Sequence, residues 1–211
     1  MDARNILNVR ELLLGQSNQI RYVERYNNVR TLKRETLPEH LFFTAFYALV
    51  LGKYIRDCGV EIDMGCLLQR ALLHDVEEQF TGDVIRPVKS LAISQELKSY
   101  SKDKIFTMFH RMGLIVHTSH ALTYAWENAK SNDNEGVIIR IADFMCVLSY
   151  VHQEFKSGNV LILDSVSGLI KYVDSLRPKF MTKDTEIFNP VIHEILDSLE
   201  PVIDTILTGG K

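Results

Sequence analysis

The sequence predicts an all-α protein built as a single domain, and three observations carry that expectation. Apolar residues recur at helical spacing along most of the chain, two-residue alternation is nearly absent, and the prolines and glycines fall mostly between the periodic segments. A short β-branched run such as Val137-Ile138-Ile139 sits inside a longer helical pattern rather than between turn signals.

Taken in order, a short apolar stripe at Ile6, Val9, Leu12 and Leu13 opens the chain. Residues 38–58 form the densest pattern: Pro38 suits an early helical position, and Leu41, Phe42, Ala45, Phe46, Leu49 and Val50 follow. A helix is expected over 62–79, closed by the turn signal Thr81-Gly82-Asp83. Further helices are expected over 94–111, 119–129, 136–155, 161–176 and 185–207. The stretches between them are short and none has the character of an interdomain linker, so residues 1–211 read as one domain.

Composition narrows the function classes. The 211 residues are enough to bury a core, and 46% hydrophobic with 24% charged residues is ordinary for a globular protein. A formal net charge of −3 argues against a dedicated nucleic-acid binder. Cys58, Cys66 and Cys146 are odd in number and form no CxxC pair, which disfavours a disulfide framework and a thiolate zinc site. The most apolar stretch, 41–51, is too short to span a bilayer, and the N-terminus lacks a signal pattern. A cytoplasmic protein with no membrane or nucleic-acid partner is the expectation.

The residues that carry chemistry start with Leu72-Leu73-His74-Asp75-Val76-Glu77-Glu78, an adjacent His–Asp pair in an apolar helical pattern. Burying two ionisable groups side by side is costly unless something compensates, and a cation does so directly. Imidazole and carboxylate together make half of a mixed N/O coordination sphere. Alone, such a dipeptide is as readily an exposed pair or a helix end. His40, early in a greasy helix, and Asp143, a lone acid in Ile139–Leu148, each admit a bland reading too: a satisfied core histidine, or an acid paired with Arg140. As an ensemble they favour a metal. Glu78 can share a helix face with His74 and Asp75, where a carboxylate beside a cation handles protons; Glu77 points elsewhere and reads as a solvated acid. Gly82 permits a sharp turn that brings Asp83 back towards the cation, and Arg86 and Lys89 add the charge a phosphate requires.

These motifs resemble the HD-domain nucleotide phosphohydrolases, specifically the bacterial 5′-deoxynucleotidase branch. The likeness runs over residues 21–148 through Asn28-Val29-Arg30-Thr31, Glu39-His40, His74-Asp75-x-x-Glu78-x-x-Thr81-Gly82-Asp83 with Pro87-Val88-Lys89, and Ala142-Asp143. It implies an HD-domain helical bundle in which His40, His74, Asp75 and Asp143 hold one divalent cation (Co²⁺, Mn²⁺ or similar, with Mg²⁺ possible). Glu78 takes the place of the catalytic acid, and Asp83 that of an acid near the sugar. Arg21-Tyr22 resembles the family's phosphate-binding arginine and the aromatic residue after it, with one residue more before Asn28 and tyrosine in place of tryptophan. Residues 32–37 run longer than the family pattern and add Lys33 and Arg34 ahead of His40. A solvated loop is the bland account; cationic reach for further phosphates is the sharper one.

The expected function is therefore removal of phosphate from (deoxy)nucleoside 5′-monophosphates, with Arg21 and Lys89 on the phosphate, Tyr22 against the nucleotide, Lys33 and Arg34 as further substrate contacts, Glu78 moving protons and Asp83 helping to choose the sugar. The alternatives are a nucleoside or nucleoside-analogue triphosphate phosphohydrolase and a non-catalytic nucleotide sensor. The resemblance also implies a homodimer. His110, His117 and His120 read as structural or surface residues rather than ligands of a second metal.

Overall fold

The computed structural model of the chain describes residues 6–84, 93–163 and 188–208. Among these the architecture is helical, with a single isolated antiparallel bridge, Glu24 to Thr36, and no strand. The expected helix over 161–176 falls largely outside the described residues, as do Arg86, Lys89 and the start of the helix expected over 185–207.

The chain opens with α1 (Val9–Leu14), capped by the Asn8 side chain, and a 3-10 helix over Gln16–Tyr22. The opening apolar stripe does not enter the core: Val9, Leu12, Leu13 and Leu14 are exposed. An extended stretch follows. Arg25 donates its amide hydrogen to the Glu35 carbonyl (2.9 Å) and Leu37 donates to the Val23 carbonyl (2.9 Å), so residues 23–25 pair with 35–37. That pairing delivers the chain into α2 (Leu37–Asp57). Thr36 caps the helix reciprocally with Glu39: its hydroxyl accepts from the Glu39 amide, and the Glu39 carboxylate accepts from the Thr36 amide at 2.9 Å. Pro38 falls within the first turn, where its missing N–H costs nothing.

α3 (Met64–Leu73) is capped by Asp63, and here the structure departs from the expected continuous helix over 62–79. The helix stops at Leu73, residues 74–77 form tight turns, and α4 (Glu78–Thr81) resumes. Val76 and Glu78 donate to the carbonyls of Leu73 and Asp75, three residues back in each case, which tightens the backbone at the His–Asp pair. The His74 ring occupies the Ala71 carbonyl at 2.8 Å, an acceptor left at the helix end. Gly82 then turns the chain with φ +70, a conformation a side chain disfavours.

α5 (Ile93–Arg111) and α6 (Val116–Glu127) form a pair that packs over a smaller cluster of Val76, Ile105, Met108, Phe109, Met112 and Trp126. The long α7 (Asn134–Lys156) lies against α2 and α3, and α8 (Phe188–Thr208) packs on α7. The main core fills the space between these four helices, with Ala48, Ile55, Leu67, Ile138, Ile141, Phe144, Ile192 and Leu196 buried. Where the 128–133 turn meets α7, Gly136 is required by space: a Cβ there would lie 2.3 Å from the Ser131 carbonyl oxygen. Asp133 caps α7 by accepting from the Gly136 amide (2.8 Å) and pairs with Arg70 at 2.7 Å, fixing that turn to both α7 and α3.

Candidate metal centre

Three helices aim side chains at one buried point. His40 comes from the first turn of α2, fixed by the Thr36–Glu39 cap, and is fully buried. His74 and Asp75 come from the tightened turn after α3, and Asp143 from the middle of α7. Donor atoms of all four lie within 4.8 Å of one another. His40 Nε2 is 3.1 Å from His74 Nε2, 3.2 Å from Asp143 Oδ1 and 3.6 Å from Asp75 Oδ2, and His74 Nε2 is 3.2 Å from Asp75 Oδ2.

The donor set fits a divalent cation. Ligands bonded at about 2.1 Å and at right angles to one another sit about 3 Å apart, close to the observed separations. Because His74 Nδ1 faces the Ala71 carbonyl it carries the hydrogen, which leaves the Nε2 lone pair turned into the cluster. Burial pushes the His74 pKa down and keeps the ring neutral, as a ligand must be.

The carboxylates are ionised despite their surroundings. Burial works against the charge of Asp75, but His74, Lys130 and His40 outweigh it and hold the carboxyl well below its usual range. Burial likewise opposes Asp143, and Lys130 and His40 overcome it. The His40 ring is raised well above its ordinary value, burial and Arg25 notwithstanding, because Asp143 and Asp75 accept from it; a cation bound among the same atoms would displace the Nε2 proton and leave this ring neutral too.

Two cations border the cluster, and neither was among the residues expected from sequence. Arg25 Nη1 lies 3.4 Å from both Asp75 Oδ2 and Glu78 Oε2. Lys130 Nζ lies 2.8 Å from Asp143 Oδ2 and 3.3 Å from Asp75 Oδ1. Glu78 is itself buried, and its carboxylate stands beside Asp75 through their shared guanidinium.

Arg21 and Tyr22 are not brought to this point. They lie on the 3-10 helix, Arg21 bonded to Asn18 (3.2 Å) and Tyr22 82% exposed. A second Arg–Tyr pair four residues later, Arg25-Tyr26, occupies the position instead. Tyr26 stacks on Tyr150 with ring centroids 4.6 Å apart. Lys33 and Arg34 also stay away from the cluster: Lys33 pairs with Glu39 at 3.8 Å and Arg34 with Glu24, both on the surface. Asp83 accepts a hydrogen bond from the Tyr26 amide at 2.7 Å, so the Gly82 turn is tied to the Arg25-Tyr26 segment. Lys89 lies outside the described residues. Glu77, expected to be a solvated acid, instead accepts a 2.6 Å bond from the Trp126 indole. The contacts described for Arg140 include the Lys130 carbonyl (2.9 Å) and Asn132 (2.9 Å), so this arginine buttresses the turn that carries Lys130. His117 and His120 are exposed, and His120 lies against Phe106 rather than in the four-residue cluster.

A cleft of about 490 Å³ opens on His74 and Asp75, walled by Glu77, Ser101, Trp126 and Lys130 among others, a size suited to a small organic ligand. A buried cation-type cluster at the end of a cleft, with a carboxylate and two basic side chains beside it, is equipped for hydrolysis of a charged ester.

A family model described as "5'-deoxynucleotidase YfbR-like" matches residues 13–183. The chain belongs to the YfbR-like family. Among its curated relatives, the 5′-deoxynucleotidase YfbR of Escherichia coli K12 is 25% identical over 188 residues, spanning 86% of this chain and 92% of the relative. A 5′-deoxynucleotidase of Erwinia tasmaniensis is 24% identical over 186 residues with the same coverage of each chain. Solved structures share the fold: a protein from Pyrococcus horikoshii (TM-score 0.69, 18% identity, covering 92% of this chain and 99% of that one) and an HD-domain phosphohydrolase from Listeria innocua (TM-score 0.67, 19% identity, 94% and 98%). The YfbR-like chain thus shares the all-α fold of these structures, as expected from its sequence, and no helix among its described residues is long and apolar enough to cross a membrane.

Proposed function

We propose that this YfbR-like protein is a divalent-cation-dependent phosphomonoesterase acting on (deoxy)nucleoside 5′-monophosphates, with His40, His74, Asp75 and Asp143 as the cation ligands. The observation that carries the reading is the buried two-histidine, two-carboxylate cluster with Arg25 and Glu78 at its edge. The curated relatives' name, 5′-deoxynucleotidase, supplies the substrate class. When bound, the cation supplies Lewis-acid polarisation of the phosphate and a lowered pKa for water.

The chain's own residues account for the rest. The Arg25 guanidinium, now shared between Asp75 and Glu78, offers charge-assisted bonds to the phosphate oxygens. Lys130 balances Asp75 and Asp143 and adds positive charge where the phosphate enters from the cleft. Glu78 takes a proton from the attacking water or returns one to the departing 5′ oxygen. Asp83, held by the Tyr26 amide, is the acid on the sugar side, and Lys89 is a further phosphate contact. The products are orthophosphate and a nucleoside.

The triphosphate alternative drew on Lys33 and Arg34, whose ion pairs with Glu39 and Glu24 on the surface favour the monophosphate reading. The test is a panel of mono-, di- and triphosphates against Mn²⁺, Co²⁺ and Mg²⁺. Orthophosphate release chiefly from monophosphates is expected. Preferential cleavage of triphosphates would replace this reading, and nucleotide binding without any phosphate release would point to a sensor. The homodimer implied by the family belongs to the same proposal and is checked by light scattering.

A further inference from the structure

Beside His40, outside the four-residue cluster, a further carboxylate is buried. Glu35 is 7% exposed and lies just ahead of α2. Its Oε2 is 3.2 Å from Arg25 Nε and 3.9 Å from His40 Nδ1, and its Oε1 lies 3.7 Å from the Cys146 thiol. Arg25 Nε, Glu35 Oε2 and His40 Nδ1 are all buried and all lack a hydrogen bond of good geometry, yet they converge on one another. Three buried polar atoms left so call for an explanation, because each carries a desolvation cost that a bond would offset.

We propose that Glu35 is the positioning residue that holds the metal ligand His40 and the guanidinium of Arg25 in one frame. This rests on reading the four-ligand cluster as a cation site. With His40 Nε2 turned to the cluster, Nδ1 carries the ring hydrogen, and the carboxylate facing that hydrogen is Glu35. Glu35, His40 and Cys146 also offer donors within 4.8 Å of one another, but a neutral imidazole cannot ligate through both nitrogens, so an orienting shell suits them better than a second cation.

The backbone is arranged to hold Glu35 in register. Pairing of 23–25 with 35–37 sets Arg25 opposite Glu35 before either side chain is considered. The face of α7 that carries Asp143 continues through Cys146, Tyr150 and Glu154, at helical spacing. Cys146 donates to Glu35 and to the His40 carbonyl (3.8 Å). Tyr150 donates to the Lys33 carbonyl at 2.7 Å. Glu154 accepts from the amides of Leu32 (2.7 Å) and Lys33 (2.8 Å). One helix face therefore supplies a cluster ligand and clamps the segment that supplies the ligand's support.

The test is calorimetric titration of Mn²⁺ into metal-stripped wild type, Glu35→Gln and Glu35→Asp, with thermal unfolding of each metal-stripped protein as the control for folding. Removing an outer-shell carboxylate weakens metal binding by roughly 10- to 100-fold. We expect a loss in that range for Glu35→Gln, which keeps the shape but not the charge, with an unfolding transition retained. Should Glu35→Gln fail to fold, Glu35→Asp, which withdraws the charge by one methylene, carries the same expectation. KM for a nucleoside monophosphate should rise as well, since Arg25 loses its anchor; a merely structural glutamate would move neither constant in a folded variant. Wild-type binding with an unchanged affinity in the folded variant overturns the role of Glu35. Failure of the wild type itself to bind Mn²⁺ overturns the cation reading beneath it.

Discussion

The four cluster residues and the ring of residues around them are built differently. His40, His74, Asp75 and Asp143 sit in or directly after helices, on backbone whose direction is set by caps and by local turns. Arg25, Glu35 and Lys130 sit on extended or turning segments, and long-range pairing sets their positions: 23–25 with 35–37, and the 128–133 turn against α7. The difference teaches where precision comes from. The cluster residues are held by local geometry, and the surrounding charges by contacts between segments far apart in sequence. Substitutions in the two sets should accordingly fail in different ways.

The largest effect belongs to the ligands. His74→Ala removes a donor and the ring that occupies the Ala71 carbonyl, so cation binding and turnover should fall together, turnover by roughly three orders of magnitude or more. Parallel metal analysis and phosphate-release assays check this, and loss of one without the other would break the assignment. Glu78→Gln comes next: kcat should drop by about 10²- to 10⁴-fold while the cation stays bound. A turnover number near wild type would remove Glu78 from the chemistry.

The two Arg–Tyr pairs give the sharpest contrast. Arg25→Ala should lower kcat/KM about 10- to 100-fold through lost charge-assisted bonds, whereas Arg21→Ala, on the exposed 3-10 helix, should leave it near the wild-type value. Steady-state kinetics of both variants decide between the pairs, and the reverse ranking would return the phosphate contact to Arg21.

This contrast also shows what the sequence could convey. The all-α fold, the α2 boundaries and the membership of the buried His/Asp cluster were legible because apolar periodicity and the His74 to Asp83 spacing are local patterns. The continuous helix expected over 62–79 was not found, since the tight turns at the His–Asp pair come from the ring of His74 taking a backbone acceptor. Arg21-Tyr22 resembles the family pair by its place ahead of Asn28, whereas Arg25 is brought to the cluster by the pairing of 23–25 with 35–37, which no periodicity announces. Lys130 and Trp126 had no local signal at all. Glu77 looked solvated because its partner, Trp126, is distant in sequence.

A smaller effect tests the clamp on α7. Burial pushes the Glu154 carboxyl up, but the amides of Leu32 and Lys33 and the Asn159 side chain outweigh it and hold the pKa below its ordinary value. A carboxyl lowered on folding stabilises the protein fully above its unfolded pKa of about 4.3, and that contribution is lost as pH falls through the folded value. Glu154→Gln should therefore cost about 2 kcal/mol at neutral pH, and the gap from wild type should close below about pH 4. Denaturant unfolding at several pH values measures it. The smallest effect is expected at Lys33→Ala and Arg34→Ala, whose surface ion pairs should change stability by no more than about 0.5 kcal/mol and leave the preference between mono- and triphosphates unchanged.

The most direct test of the central claim is titration of Mn²⁺ into metal-stripped wild type and His74→Ala, with orthophosphate release from a deoxynucleoside 5′-monophosphate followed at each point. One equivalent of cation per chain should restore activity in proportion to occupancy in the wild type, and His74→Ala should show neither event. Activity that survives complete chelation, or that returns in His74→Ala at the wild-type stoichiometry, would contradict the account.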